Sequence, residues 1–260
     1  MELIHKRYGL DNLTKEDFQE IVATYYGMIS KVDHQFGQVM NKLKDINEYD
    51  NSAIFFFSDH GDFTGDYGLT EKWQTAFQDS LVRVPLITKL PYNKEKNLID
   101  DNLIESIDIF PTILELAKID TNYTHFGKGL LPLINGNVDF HREYVFSEGG
   151  YNPREPQCYE IVFKDPDAIG IGIYYDKTNI PKEDPTTVSR SVMIRNKDWK
   201  LTLRDSGMEE FYDLNNDPQE LENLIDNEKY RKIIGKLKEV LLKWYLNTSD
   251  NPDWRRERLI

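Results

Sequence analysis

Ala53-Ile54-Phe55-Phe56-Phe57-Ser58-Asp59-His60-Gly61 is the stretch on which the fold turns. Its apolar residues run without alternation, and then the chain becomes polar at once. Unbroken apolarity suits a strand covered on both faces, as in the sheet of an α/β protein. Ligands collect just past the carboxyl ends of such strands, so Ser58 to Gly61 stand where a site is expected. Upstream, Thr14-Lys15-Glu16-Asp17 has the pattern of a capping box, with an acid placed to reach back to the cap. Apolar residues then recur at Phe18, Ile21, Val22, Tyr25, Met28, Ile29, Val32, Phe36, Val39, Met40 and Leu43. That is helical spacing at roughly 3.6 residues per turn. It predicts a long helix with one buried face.

Working outward, a Gly- and Asp-rich loop runs from Asp62 to Lys72, and a second apolar strand spans Val84 to Leu90. Asp108-Ile109-Phe110-Pro111 reads as a helix start, with Asp as cap and Pro in the first turn. Ile113, Leu114, Leu116 and Ala117 follow as its apolar side. The character changes near residue 120: loops, a short strand at Tyr144-Val145-Phe146, and a Pro/Asp-rich stretch from Asn152 to Pro185. Ser191 to Asn196 and Trp199 to Arg204 alternate as the arms of a hairpin that turns at Asn196-Lys197-Asp198. Glu210 to Leu214 would add a third strand, and Asp217-Pro218 would begin a final helical region that ends near Asn247. The expected organisation is an α/β core over residues 1–120, followed over 121–260 by a small antiparallel sheet packed with a C-terminal helix.

The 260 residues are 39% hydrophobic and 30% charged, which is ordinary for a soluble globular protein. No run of 18 apolar residues is present, which excludes a helical membrane span. A net charge of −13 argues against a nucleic-acid partner. It does not forbid an anionic substrate, because a local cation can set the sign of a pocket against the global field. Cys158 is the single cysteine, so no internal disulfide can form. With no apolar signal-peptide core in Met1 to Lys6, that favours a cytoplasmic chain.

Asp59 and His60 are the sharpest chemical candidates. A carboxylate and an imidazole at a strand end could ligate a divalent cation, oxygen-rich company favouring Ca²⁺ or Mg²⁺ and nitrogen favouring Zn²⁺ or Mn²⁺. The plainer alternative is a capped strand end, with Asp59 in an Asx turn and His60 satisfied by backbone. Lys72, 12 positions beyond His60, could offer a point charge to a sulfate or phosphate oxygen. Its plainer alternative is a solvated surface lysine.

In combination these residues resemble the sulfatase branch of the alkaline-phosphatase-like superfamily. The resemblance rests on Ser58-Asp59-His60-Gly61, Glu71-Lys72, Arg83-Val84-Pro85-Leu86-Ile87 and Asp108-Ile109-Phe110-Pro111-Thr112. It continues through Gly127-Lys128-Gly129, Arg195-Asn196-Lys197-Asp198-Trp199, and Glu210-Phe211-Tyr212-Asp213-Leu214 leading into Asp217-Pro218. These blocks follow the family's order and imply its C-terminal half. By position, the resemblance makes Asp59 and His60 metal ligands, with Ca²⁺ the foremost metal, and makes Lys72 the lysine that contacts the substrate sulfate. The implied substrate is a sulfated small molecule or glycan.

The resemblance also implies a formylglycine nucleophile, made from the first residue of a Cys/Ser-x-Pro-x-Arg motif. No cysteine or serine here begins that motif, and Cys158, followed by Tyr159-Glu160, reads as an ordinary structural cysteine. No catalytic nucleophile is therefore assigned to this chain, and the isolated chain is expected to be inactive. The family's early acidic metal pair is not matched by Asp100-Asp101, which lies downstream and reads as a turn. His5 and His34 sit outside any motif, and His125 and His141 look incidental. Two alternatives stay open: a non-catalytic remnant or binding module of the same ancestry, and a phosphate or phosphonate ester hydrolase. Glu148 to Tyr151 and Asp62 to Tyr67 are placed to line a substrate pocket. A strand at 53–57 without upstream neighbours would expose a sheet edge, inviting self-association or complementation by a missing N-terminal half.

Overall fold

A computed structural model describes residues 2–92, 99–120, 124–154 and 172–249. In chain order these form α1 (Glu2–Tyr8), α2 (Lys15–Asp45), β1 (Ile54–Phe57), β2 (Phe63–Thr64), β3 (Thr70–Glu71), α3 (Asp79–Val82) and β4 (Leu86–Lys89). Then come α4 (Ile109–Ala117), α5 (Leu131–Ile134), β5 (Val145–Gly149), α6 (Gly172–Glu183), β6 (Ser191–Arg195), β7 (Trp199–Arg204), β8 (Glu210–Asp213) and α7 (Arg231–Thr248). Their contacts gather into two units, one from Met1–Ile99 with Gly149–Arg190, the other from Asp100–Glu148 with Ser191–Ile260.

In the first unit the capping box forms as the sequence predicts. Thr14 Oγ1 accepts from Asp17 N at 3.2 Å, and Asp17 Oδ2 accepts from Thr14 N at 2.7 Å. The helix it starts, α2, runs 31 residues. The expected buried face does not exist: no residue of α2 is buried, and Met28, Val32 and Val39 are 53%, 48% and 56% exposed. Periodicity fixes which stripe is apolar, but burial needs a surface to cover it. Here β2 packs on the helix, and Phe36 meets Phe56 of β1 at 4.9 Å between ring centroids.

The same correction applies to β1. It pairs antiparallel with β4 in a two-stranded sheet, Ile54 opposite Lys89 and Phe57 opposite Leu86. Phe57 stays 47% exposed and Ile87 60%, so the strand is half-covered rather than enclosed. The Gly/Asp-rich loop folds into a short hairpin of β2 on β3, with Phe63 opposite Glu71. Tyr67 in its turn is left-handed at φ 57°. The core of this unit is Ile4, Leu10, Phe63, Leu69, Leu81 and Ile180. Each such side chain contributes about 1.5–3 kcal/mol by leaving water.

The second unit carries the antiparallel sheet, in the order β5-β6-β7-β8. The hairpin of β6 and β7 turns where the sequence places it, and Asn196 Oδ1 accepts from Asp198 N at 3.0 Å and Trp199 N at 2.7 Å. Ile234, Leu237 and Leu241 of α7 pack on Val192, Ile194, Leu201 and Phe211 of the sheet. Phe146 stacks on Trp244 at 4.7 Å. The final helix starts at Arg231, however, and not at Asp217. Asp217 spends its carboxylate on a turn, Oδ2 accepting from Glu222 N at 2.8 Å, and Asn223 bridges back to Phe211 N and the Glu209 carbonyl. Glu220 in this turn is left-handed at φ 56° and forms a wholly buried ion pair with Lys200 of β7 at 2.7 Å.

Asp108 also departs from its expected role. It makes no side-chain cap to α4 and is fully buried. Its carboxylate instead accepts from Lys128 N at 2.7 Å and Glu105 N at 2.8 Å, and pairs with the Arg142 guanidinium. His141 Nε2 lies 3.3 Å away, so His141 belongs to a buried charged cluster and is not incidental. Arg142 bonds Glu105 as well, and Glu105 accepts from Phe146 N at 2.7 Å, which ties β5 to the start of α4.

Candidate active site

Strand β1 delivers Ser58 to Gly61 to its carboxyl end, and short-range hydrogen bonds then shape the loop. Ser58 Oγ donates to the His60 carbonyl at 2.7 Å, and His60 N donates to Asp59 Oδ1 at 3.0 Å. Gly61 N donates to the Leu81 carbonyl at 2.8 Å, stitching the loop to α3. A Cβ at Gly61 would stand 2.0 Å from the Ser80 carbonyl oxygen, so only glycine allows this approach.

The two candidate ligands are neighbours in the loop. His60 Nδ1 lies 2.8 Å from the Gly61 carbonyl, which can only accept, so in the neutral ring Nδ1 carries the hydrogen. Nε2 then keeps its lone pair, and it sits 3.6 Å from Asp59 Oδ2. A backbone carbonyl fixing one ring nitrogen while the other is offered outward is the usual support of a metal-ligating histidine. Asp59 is 84% exposed at its side chain. Its carboxyl is held below the usual 3.8, chiefly by the hydrogen bond from the His60 backbone N–H. The pair offers one carboxylate oxygen and one imidazole nitrogen, donor types that divalent cations take. Among the described residues no group of three or more His, Cys, Asp and Glu is gathered that could hold a metal.

Lys72 follows β3 with an exposed side chain. Of the segments expected to line a pocket, Asp62, Phe63 and Thr64 border an open cavity of about 570 Å³ against α2, with Ile21, Tyr25 and Glu71. Tyr25 Oη reaches Asp62 at 3.5 Å, and burial, with the Asp62 charge, raises the phenol above its ordinary value. The other histidines stand apart from the site. His5 pairs with Asp11 at 3.4 Å, His34 contacts Gln38, and His125 lies against Phe110. Asp100 holds a turn by accepting from Asn102 N at 2.6 Å. Cys158 lies outside the described residues. No helix of the described residues is long and apolar enough to cross a membrane.

A mixed α/β chain that ends an apolar strand in Asp-His-Gly, and closes with an antiparallel sheet under a helix, has the build of an alkaline-phosphatase-like protein. Comparison with known proteins narrows this. Residues 5–119 match the sulfatase family model, and residues 160–246 match that of the N-sulphoglucosamine sulphohydrolase C-terminal region. Both stretches of the chain are thus similar to sulfatases.

An arylsulfatase of Clostridium perfringens is 29% identical over 234 residues, spanning 89% of this chain and 41% of its own length. An N-acetylglucosamine-6-O-sulfatase of Bacteroides thetaiotaomicron is 25% identical over 245 residues, 94% of this chain and 39% of its own. Among solved structures, the phosphonate monoester hydrolase of Agrobacterium radiobacter superposes with a TM-score of 0.70 at 26% identity, over 90% of this chain and 43% of that one. The chain thus spans about two-fifths of the length of the relatives it matches.

Proposed function

We propose that this chain carries the C-terminal share of a sulfate-monoester hydrolase site. Asp59 and His60 act as ligands to a divalent cation, and Lys72 binds a sulfate oxygen. The observation that carries the reading is the Asp59–His60 pair at the end of β1, with His60 Nε2 3.6 Å from Asp59 Oδ2. Calcium is the foremost metal, with Mg²⁺, Mn²⁺ and Zn²⁺ as competitors. When bound it supplies fixed positive charge for the sulfate oxygens. Lys72 adds a second cation there, where it is most effective against developing negative charge. The hydrogen bond from the His60 backbone N–H favours the charged form of Asp59.

The nucleophile-bearing motif does not occur in these 260 residues. Turnover is therefore assigned to this site joined with an N-terminal half of the family fold, and the 260 residues alone are assigned no turnover. The substrate class is a sulfated small molecule or glycan, in keeping with the arylsulfatase and the N-acetylglucosamine-6-O-sulfatase among the relatives. A second reading, phosphate or phosphonate ester hydrolysis, is favoured by the nitrogen ligand at His60 and by the likeness to a phosphonate monoester hydrolase. A third, a non-catalytic remnant, predicts that the ligand pair no longer binds metal.

Calorimetric titration of the chain with Ca²⁺, Mg²⁺, Mn²⁺ and Zn²⁺ separates the three. Calcium binding that weakens about tenfold or more in Asp59→Asn and His60→Ala supports the sulfatase reading. Preference for Mn²⁺ or Zn²⁺ turns it toward phosphonate esters. No binding that depends on either residue refutes the site.

A further inference from the structure

Lys72 owes its place to residues more than a hundred positions away. The chain leaves β3 through Glu71, which is left-handed at φ 65°, a conformation that a non-glycine residue holds only when its surroundings enforce it. Lys177 of α6 makes contact at this corner. Its Nζ pairs with Glu71 Oε1 at 3.1 Å, donates to the Lys72 carbonyl at 3.1 Å, and stands 6.0 Å above the Trp73 ring. One cation thus touches three consecutive residues centred on the candidate sulfate lysine.

A second anchor lies just beyond α6. Trp73 Nε1 donates to the Thr187 carbonyl at 2.7 Å, and Thr75 Oγ1 donates to the same oxygen at 2.9 Å. The support is itself anchored in the core. Ile180 of α6 is 0% exposed and packs with Phe63, Leu69 and Leu81, and Glu183 is ion-paired with Arg7 of α1.

We propose that Lys177 is a positioning residue for Lys72, clamping the Glu71–Trp73 backbone so that the Lys72 ammonium is presented to the sulfate. This rests on the reading of Lys72 given above. Because Glu71 neutralises Lys177, the second lysine is a strut and not a second anion ligand. The stretch around α6 is therefore part of the anion-binding apparatus, although it contributes no group that touches the anion.

The test uses the full chain and three variants: Lys177→Met, which keeps the apolar stem; Lys177→Arg, which keeps the charge and the donors; and Glu71→Gln, which removes the ion pair alone. Hydrogen exchange of peptides covering residues 70–76 reads the clamp. Trace acetylation of Lys72, with and without sodium sulfate against chloride at equal ionic strength, reads the anion. Exchange should be roughly ten- to a hundred-fold faster in Lys177→Met, the opening expected when a charged hydrogen bond is lost. It should be near wild type in Lys177→Arg and intermediate in Glu71→Gln, with peptides from β6 and β7 unchanged.

Sulfate should protect Lys72 in the wild type and in Lys177→Arg, but not in Lys177→Met. Unchanged exchange in Lys177→Met, or loosened exchange with sulfate protection intact, overturns the positioning role while leaving Lys72 as the anion lysine. Absence of sulfate protection in the wild type overturns the Lys72 reading, and the positioning role falls with it. Loosening that extends to β6 and β7 in both Lys177→Met and Glu71→Gln also overturns it, as a general loss of structure.

Discussion

Substitution of Gly61 by alanine tests whether the loop after β1 is held by a close backbone approach. The added methyl would lie 2.0 Å from the Ser80 carbonyl oxygen, 3.0 Å from its carbon and 3.3 Å from Leu81 Cα. Ordinary contact begins near 3.4 Å, so roughly 1.4 Å of relative movement is needed, and the obstacle is backbone that has no rotamer to escape into. Overpacking of this kind costs about 1–3 kcal/mol. The movement also strains the bond from Gly61 N to the Leu81 carbonyl, a further ~0.5–1.5 kcal/mol. Together the variant should lose about 2–4 kcal/mol. Urea denaturation followed by tryptophan fluorescence measures that loss as a lower midpoint at unchanged slope.

Because metal–ligand distances tolerate only about ±0.2 Å, the same displacement should weaken cation binding by His60 and Asp59. Calorimetry on the folded variant reads that second effect. A Gly61→Ala protein with wild-type midpoint and wild-type metal affinity would refute the argument, because the chain would then have accommodated the methyl without moving the loop.

Replacing Lys200 by methionine takes the cation away from buried Glu220 and should cost about 3–5 kcal/mol, whereas Lys200→Met with Glu220→Leu should recover most of it. Denaturation of both variants decides, and equal losses would show that the pair is not the cause. Burial works to raise the Asp213 carboxyl, but bonds from the Asn216 side chain and from the Asn216 and Asn215 backbone outweigh it and hold it below 3.8. Its contribution is thus present above the ordinary carboxylate value and fades as pH falls through the lowered folded one, so stability measured from pH 7 down to 2 should decline less steeply in Asp213→Asn. Thr14→Ala removes the acceptor for Asp17 N and should cost about 1 kcal/mol, seen by circular dichroism as fraying of α2.

The strand at 54–57 and the polar loop at its end were legible because unbroken apolarity and an abrupt polar stop are local signals, visible in a window of ten residues. So were the Thr14 capping box and the Asn196–Asp198 turn, each built from neighbours. The burial of α2 was not legible, since an apolar stripe states what a helix could cover and says nothing of what lies against it. Asp108 and Asp217 misled in the same way. An aspartate ahead of a proline reads as a helix cap, yet Asp108 serves Lys128, His141 and Arg142, partners 20 to 34 positions on. Asp217 serves a turn that ends before α7 begins. Lys177 lay in a Pro/Asp-rich stretch with no period to single it out. Its role depends on Glu71 and Lys72 being brought to it, which is tertiary information.

The two units place different demands on a growing polypeptide. From Ser191 to Thr248 each element packs on the one made just before or soon after it, so this region closes short loops and can condense as it appears. The other unit cannot. Ile180 completes the cluster of Phe63, Leu69 and Leu81, yet it is synthesised roughly a hundred residues after Leu81. At ~5–20 residues per second the ribosome holds that apolar surface open for about 5–20 s. For that interval the apolar surface lacks its last covering side chain, and slowing translation before residue 180 should lengthen the exposure.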